Sequence, residues 1–477
     1  MSEATITSTL QGPWDLIVVG HGFSGLTAAL AHIEAATAAG RTPRVAVLER
    51  ASYEDRGGST RWTTAWLSLT RDRQLRPFLR ERVRQNAGHL TNTSYIDAFY
   101  TLVPETLDWL EKHGVTLSHH EVGTEDGAWR IDGGGATIVN SFPEKIRNGG
   151  GAVFYNTSAR RLIRSESGRV TGLEVRAEDG TTVIMETSAV VLSSGGFEGN
   201  PEWLTRYIPD AYKLKTVSPG TRGNRGDGIR MAVEVGADTA GQFDGAHIEP
   251  CDSRSDGVEP LVTTYRYGIL VNQAGMRFID EAGDIAEIDF DTVANEIFRK
   301  QNNVAYGIND AAQRRDVVGF DYFNLTDQEP ISADTIEELA EKLGIDPHRL
   351  RATVDEYNGA INEAGDYRPN GPLDGKHTTG ITPPRSNYAS PIAEAPFIAW
   401  PISGQICFTY GGLRVDGDTH VLDVEGRPIE GLHAAGEIAG VFYNQYPAGT
   451  SGLRSMTFGR KDGLVSAAEL AAATVAS

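Results

Sequence analysis

Gly20-x-Gly22-x-x-Gly25 stands between the apolar run Trp14–Val19 and an alanine-rich stretch over residues 26–39. Strand, glycine loop and helix are the context in which this spacing carries chemistry. The glycines permit a tight turn, close approach of backbone to a pyrophosphate, and close packing of helix on strand. Phe23 and Ser24 fill the positions between them. The helix that follows aims its N-terminal N–H groups at the phosphates. A second apolar run, residues 44–48, ends in Glu49 and Arg50. A carboxylate there can accept both hydroxyls of a ribose and favours one without a 2′-phosphate. These residues mark a dinucleotide site and leave FAD and NAD both open.

Further glycine-rich segments could serve the same ligand. Arg56-Gly57-Gly58-Ser59-Thr60 and Thr64-Ala65 follow the second run. Gly57 and Gly58 let backbone lie close to a ligand, and the hydroxyls offer donors. Ser194-Gly195-Gly196-Phe197 ends another strand-like run, and Gly226-Asp227-Gly228 opens a helix. Near the end, Gly436-Glu437 precedes Tyr446-Pro447-Ala448-Gly449-Thr450-Ser451-Gly452-Leu453, where the last helix begins and Ser451 can cap it.

The elements that must hold these loops read as alternating strand and helix. Helical periodicity is expected over residues 75–113, 335–343 and 348–364, and short strands at 152–155, 170–176, 182–186 and 189–192. Residues 268–278 read as strand–turn–strand, and the proline-rich stretch 366–396 as a lid or a domain return. The expected fold is α/β, with a discontinuous Rossmann-like domain (1–246 and 407–477) and an inserted α+β capping domain (247–406). The chain has 477 residues, 54 of them glycine, and a net charge of −20. That acidity disfavours nucleic acid and anionic membrane surfaces as partners. Two cysteines, Cys251 and Cys407, make no disulfide framework, CxxC pair or iron–sulfur pattern. With no signal-like start and no long apolar run, the reading is soluble and cytoplasmic, without direct membrane insertion. His113 and His119-His120 fit no metal-ligand spacing and read as surface loop, so no metal is expected.

Taken together, these segments resemble the flavoprotein family of fumarate reductases, succinate dehydrogenases and 3-ketosteroid dehydrogenases. The carrying residues are Gly20 to Gly25 with Glu49, Gly57-Gly58-Ser59, residues 190–197, Gly226-Asp227-Gly228, residues 272–281 and residues 431–437. They follow the family's order over nearly the whole chain. Within that group the tricarballylate dehydrogenase-like branch is most similar, through Arg56 to Thr60, Gly245-Ala246-His247, Tyr267-Gly268-Ile269 and Tyr446-Pro447 with Gly449 and Gly452. The resemblance implies FAD and a capping domain that closes over it. No histidine occurs in residues 56–69, where some relatives attach the flavin, so the FAD is expected to be non-covalent.

The resemblance also implies a reaction: dehydrogenation or reduction of a CH–CH or C=C bond beside a carboxyl or carbonyl. His247 and Arg266 match a substrate-binding histidine and a carboxylate-binding arginine. Arg266 otherwise reads as an exposed ion-pair arginine. Tyr446 matches a tyrosine that hydrogen-bonds a ketone in the ketosteroid branch; packing with a structural hydroxyl partner is the other reading. Tyr410 and Tyr443 are weaker alternatives. Where fumarate reductases carry their proton-donating arginine this chain has Ile285, and Phe408 and Tyr446 stand near the positions of two other fumarate-binding residues. Fumarate reduction itself is therefore disfavoured. The substrate is expected to be a small carboxylic acid or ketone, and the electron acceptor external, including an iron–sulfur or quinone-linked partner. Two alternatives stand: a cyclic-ketone desaturase, and a flavin subunit that only relays electrons.

Overall fold

The computed structural model describes residues 10, 12–121, 127–284, 286–320, 324–371 and 373–476, with backbone alone at 286–289 and 475–476. In chain order the elements used below are β1 (Trp14–Val19), α1 (Phe23–Ala38), β2 (Val45–Leu48), α2 (Thr93–Lys112), β3 (Ala152–Phe154), β4 (Ser158–Arg164), β5 (Val170–Arg176), β6 (Thr182–Leu192), α3 (Asp227–Glu234), β7 (Ala246–Asp252), β8 (Ile269–Asn272), α4 (Ala286–Lys300), β9 (Ala305–Asn309), β10 (Ile331–Ala333), α5 (Ile336–Leu343), α6 (Pro347–Ala360), β11 (Phe397–Thr409), β12 (His420–Leu422), β13 (Pro428–Ala434) and α7 (Ser451–Ala476).

The fold is α/β, as the alternation of apolar runs implies. The first sheet runs β12-β13-β6-β1-β2-β3, with β5 and β4 added beside β6. Its centre is parallel: β1 pairs with β2 and β6, β13 with β6, and β3 with β2. β1 and β2 are buried along nearly their whole length, which is why they read as unbroken apolar runs. α1 and α7 pack together on this sheet, and the carboxyl ends of β1 and β6 converge at Gly20 and Ser193. In such sheets ligands bind outside the carboxyl ends of the strands.

The middle of the chain forms a second, mostly antiparallel sheet. The 13-residue β11 is its hub, paired with β7, β9 and β10. Two apolar clusters flank it, one including Leu339, Leu350 and Tyr357 under α5 and α6, the other including Tyr265, Ile297 and Trp400.

Three local expectations need correction. The helical stretch at 75–113 is broken, because Gly88 turns left-handed (φ 54) and Asn92 caps α2 by accepting from the Tyr95 N–H. β4 carries three exposed arginines, Arg160, Arg161 and Arg164, and gave no apolar signal. His119 and His120 lie in a strand, Leu117–His120, paired with Ala128–Ile131, not in a surface loop. Among the described residues no helix is long and apolar enough to cross a membrane.

Candidate active site

A cavity of about 1340 Å³ is lined from both sheets. Pockets for one small ligand usually hold about 300–1,000 Å³, so this one has room for a dinucleotide and a substrate. Gly20, Gly22, Phe23 and Ser24 border it. Gly20 sits at φ +119, and any Cβ there would strike the Ser193 carbonyl; one on Gly25 would strike the Gly20 carbonyl. Gly25 is thus a packing residue behind the loop. α1 begins without a side-chain cap and without an acidic residue in its first turn. That leaves its positive end facing the cavity for an anion.

Glu49 is buried, and its carboxylate accepts from the Ala51 N–H (2.8 Å) and the Gly57 N–H (3.2 Å). Burial raises its pKa against those two bonds. Arg50 donates to Asp227 at 2.9 Å. Gly57, Gly58, Ser59, Thr60, Thr64, Ala65, Gly195, Asp227, Glu437, Ser451 and Gly452 also line the cavity. Gly196, Gly436, Thr450 and Leu453 stand behind it: Gly196 against Glu437, Gly436 against Ser24, Thr450 beneath Tyr446, and Leu453 fully buried. Trp62 Nε1, Ser68 Oγ, Ser193 Oγ and Ser218 Oγ belong to residues that border the cavity; these atoms are buried and have no hydrogen-bond partner among the described residues. Buried polar atoms are nearly always bonded, so these fit the contacts of a bound polar ligand.

The predicted substrate residues also meet here. His247, Arg266 and Tyr446 all line the cavity. Arg266 is buried, not an exposed ion-pair residue; its Nη2 donates to the Asp284 carbonyl at 3.1 Å, and its own carbonyl accepts from Arg385. His247 lies between two carboxylates, Nδ1 2.6 Å from Asp291 and Nε2 3.3 Å from Glu249. Burial lowers its pKa, but these two partners outweigh burial and push it up to about 9. The imidazolium therefore has both N–H groups engaged. The Tyr446 hydroxyl accepts from the N–H groups of Thr450 (3.0 Å) and Ser451 (2.8 Å). It, and not Ser451, supplies the acceptor at the start of α7. Tyr410 and Tyr443 do not border the cavity; the Tyr410 hydroxyl meets Asp291 (3.3 Å) and that of Tyr443 accepts from Gly241 N–H (2.9 Å). Ile285 lies outside the described residues.

Several residues in or behind the cavity wall had not been singled out. Glu259 is buried at φ 45, an uncommon conformation for a side chain of this size, and burial together with the Glu249 charge pushes its pKa up to about 8. Glu249 follows His247 by two on β7, so period-two alternation puts both on one face, a signal the sequence does carry. Asp291 arrives from α4, 44 residues away, and no local pattern points to it. Glu198 and Glu437 form a buried pair bridged by Asn224, whose Nδ2 lies 2.5 Å from Glu198 and 3.4 Å from Glu437. Burial and the neighbouring carboxylate hold Glu198 well above the usual carboxylate range.

The family model described as FAD binding domain matches residues 15–453. An NADH:fumarate oxidoreductase of Klebsiella pneumoniae (strain 342) is 28% identical over 450 residues, 90% of this chain and 44% of that protein. A 4-oxocyclohexanecarboxylate 2-dehydrogenase of Sinomonas cyclohexanicum is 31% identical over 327 residues, 64% of this chain and 55% of that protein. This chain thus spans about half of either relative. Among solved structures, 3-ketosteroid-delta4-(5alpha)-dehydrogenase from Rhodococcus jostii RHA1, in complex with 4-androstene-3,17-dione, superposes with a TM-score of 0.72 at 25% identity, covering 95% of this chain and 97% of that one. The uncapped helix end, the buried Glu49 carboxylate and the unbonded polar atoms are accounted for by one match: the chain belongs to the FAD binding domain family, and its cofactor is FAD.

Proposed function

We propose that this protein is an FAD-dependent oxidoreductase acting on a CH–CH or C=C bond next to a carboxyl or carbonyl group. The supporting observation is a single cavity that joins the dinucleotide cradle to Arg266, Tyr446 and the Glu249–Glu259–His247 group. The division into a cofactor domain (1–246 and 407–477) and a capping domain (247–406), and non-covalent attachment of FAD, belong to the same proposal. FAD supplies the hydride-accepting or hydride-donating centre.

The chain supplies orientation and proton movement. Arg266, steadied by the Asp284 carbonyl and lining the cavity, is the candidate to hold a carboxylate or carbonyl oxygen. Tyr446 has both acceptor positions occupied by backbone N–H groups, so its O–H proton is left for a substrate oxygen. Glu259 is the candidate to take or give the second proton, because a group titrating near 8 can do either at neutral pH. Electrons leave to an acceptor outside the chain, an iron–sulfur or quinone-linked partner among the candidates.

Anaerobic titration of the yellow protein with di- and tricarboxylates, cyclic ketones and steroids tests the reading. A small carboxylate should bleach the flavin band, and Arg266→Ala should cut that rate at least 100-fold. Bleaching by no member of the panel would leave the electron-relay alternative in its place. A cyclic ketone is the second reading, supported by the aromatic wall in which Phe408 lies 5.1 Å from His247 and 4.9 Å from Tyr446. It predicts bleaching by a ketone that survives Arg266→Ala.

A further inference from the structure

At one edge of the first sheet, outside the cavity lining, two histidines and a glutamate converge. His420 on β12 and His433 on β13 are cross-strand partners, and Glu469 comes from α7. His420 Nε2 lies 2.7 Å from Glu469 Oε1, and His433 Nε2 lies 3.3 Å from Glu469 Oε2. Each ring is backed at its other nitrogen by a carboxylate: Asp416 at 2.8 Å from His420 Nδ1, Asp462 at 3.4 Å from His433 Nδ1. The three inward donor atoms lie within 4.8 Å of one another.

This is the arrangement metal-binding histidines adopt, one nitrogen toward the ion and the other N–H toward a carboxylate that fixes the tautomer. A second observation points the same way. His433 and Asp462 are both fully buried, yet neither ring nitrogen of the one nor either oxygen of the other makes a hydrogen bond among the described residues. Such groups are rarely left unbonded in a folded interior. We propose that His420, His433 and Glu469 form a binding site for a divalent zinc-like ion, with Asp416 and Asp462 as its supporting carboxylates.

Metal-ligating imidazoles must be neutral, so binding of the ion weakens in acid. Two imidazoles and one carboxylate suit zinc better than magnesium or calcium. Glu469, with 47% of its side chain exposed, leaves a route from solvent and room for water as fourth ligand. The ion would tie the β12–β13 edge to α7, the helix whose first turn borders the FAD cavity.

The test uses the full FAD-loaded chain, stripped with EDTA and dialysed, then titrated with Zn²⁺. Expected are about one ion per chain, binding that weakens on acidifying the buffer, and a rise in Tm. His420→Gln and Glu469→Gln, both at partly exposed positions, should each weaken binding at least 100-fold, and Asp416→Asn about 10- to 100-fold. The flavin spectrum should not change. No stoichiometric Zn²⁺ would overturn the proposal, leaving an ion-pair network. Binding that survives both ligand substitutions would overturn it too, placing the ion elsewhere, with His247, Glu249 and Cys407 the other group of suitable spacing.

Discussion

His247 and Arg266 line the same cavity and are held differently. Arg266 donates to the Asp284 carbonyl, whereas His247 has a carboxylate at each nitrogen. Its pKa is raised from 6.5 to about 9, so the folded state binds its proton more tightly than the unfolded chain does. The resulting stability is fully present below pH 6.5 and is lost as pH rises through about 9. The gap corresponds to roughly 3 kcal/mol. Glu259, raised to about 8, loses stability over part of the same window, so a variant is needed to separate them. His247→Gln should be clearly less stable than the parent at pH 6 and nearly equal at pH 9.5, read as Tm of the FAD-loaded protein. A deficit independent of pH would refute the imidazolium. At this scale the sequence revealed types better than partners. Gly20, Glu49, Arg266 and His247 were legible from motif and resemblance, and Glu249 could have been, from its spacing on the strand. Asp291, Glu259 and the pairing of Glu198 with Glu437 were not, because burial and long-range proximity make their chemistry.

Among the elements, α1 and α7 were readable because each follows a glycine-rich turn and shows helical composition. How α7 starts was not. Its first N–H groups are held by a phenol hydroxyl four and five residues upstream, through a turn whose shape no side-chain pattern encodes. Removing that oxygen leaves two buried donors without an acceptor. Loss of a helix-capping acceptor costs about 1–2 kcal/mol. Tyr446→Phe should therefore lower Tm by about 2–4 °C and weaken FAD retention, measured by ultrafiltration of the yellow protein. This separates the structural bond from the proposed proton donation: slower substrate bleaching with unchanged Tm would mean the helix does not depend on the hydroxyl. The misread stretches have physical causes as well. β4 is hidden by its solvent-facing arginines, and the 75–113 helix is divided by one left-handed glycine inside an otherwise continuous periodicity.

For the molecule as a whole, the change in composition near residue 247 corresponds to a change of sheet. What no composition reveals is how the second sheet's loops are fastened. Glu281 and Arg385 are fully buried, and Glu281 receives Arg277 at 2.6 and 2.8 Å, Arg385 at 3.3 Å and the Leu270 N–H at 3.0 Å. Burial alone would raise the Glu281 pKa, but Arg277 and Arg385 hold it below the usual carboxylate range. The Arg385 guanidinium in turn grips the carbonyls of Gly268 and Asn387, so one carboxylate joins the 366–396 stretch to β8. Glu281→Ala would leave two guanidinium groups buried beside no anion, a loss of about 3–5 kcal/mol. The apolar clusters around β8 to β11 are distinct from the core of the first sheet, so that loss should fall on the middle segment. Calorimetry of the FAD-loaded variant should then show an early transition, with proteolysis confined to the middle segment. FAD release, followed by flavin fluorescence, should stay near the parent temperature. A single transition in which heat uptake and FAD release shift together would mean that the two sheets unfold as one cooperative unit.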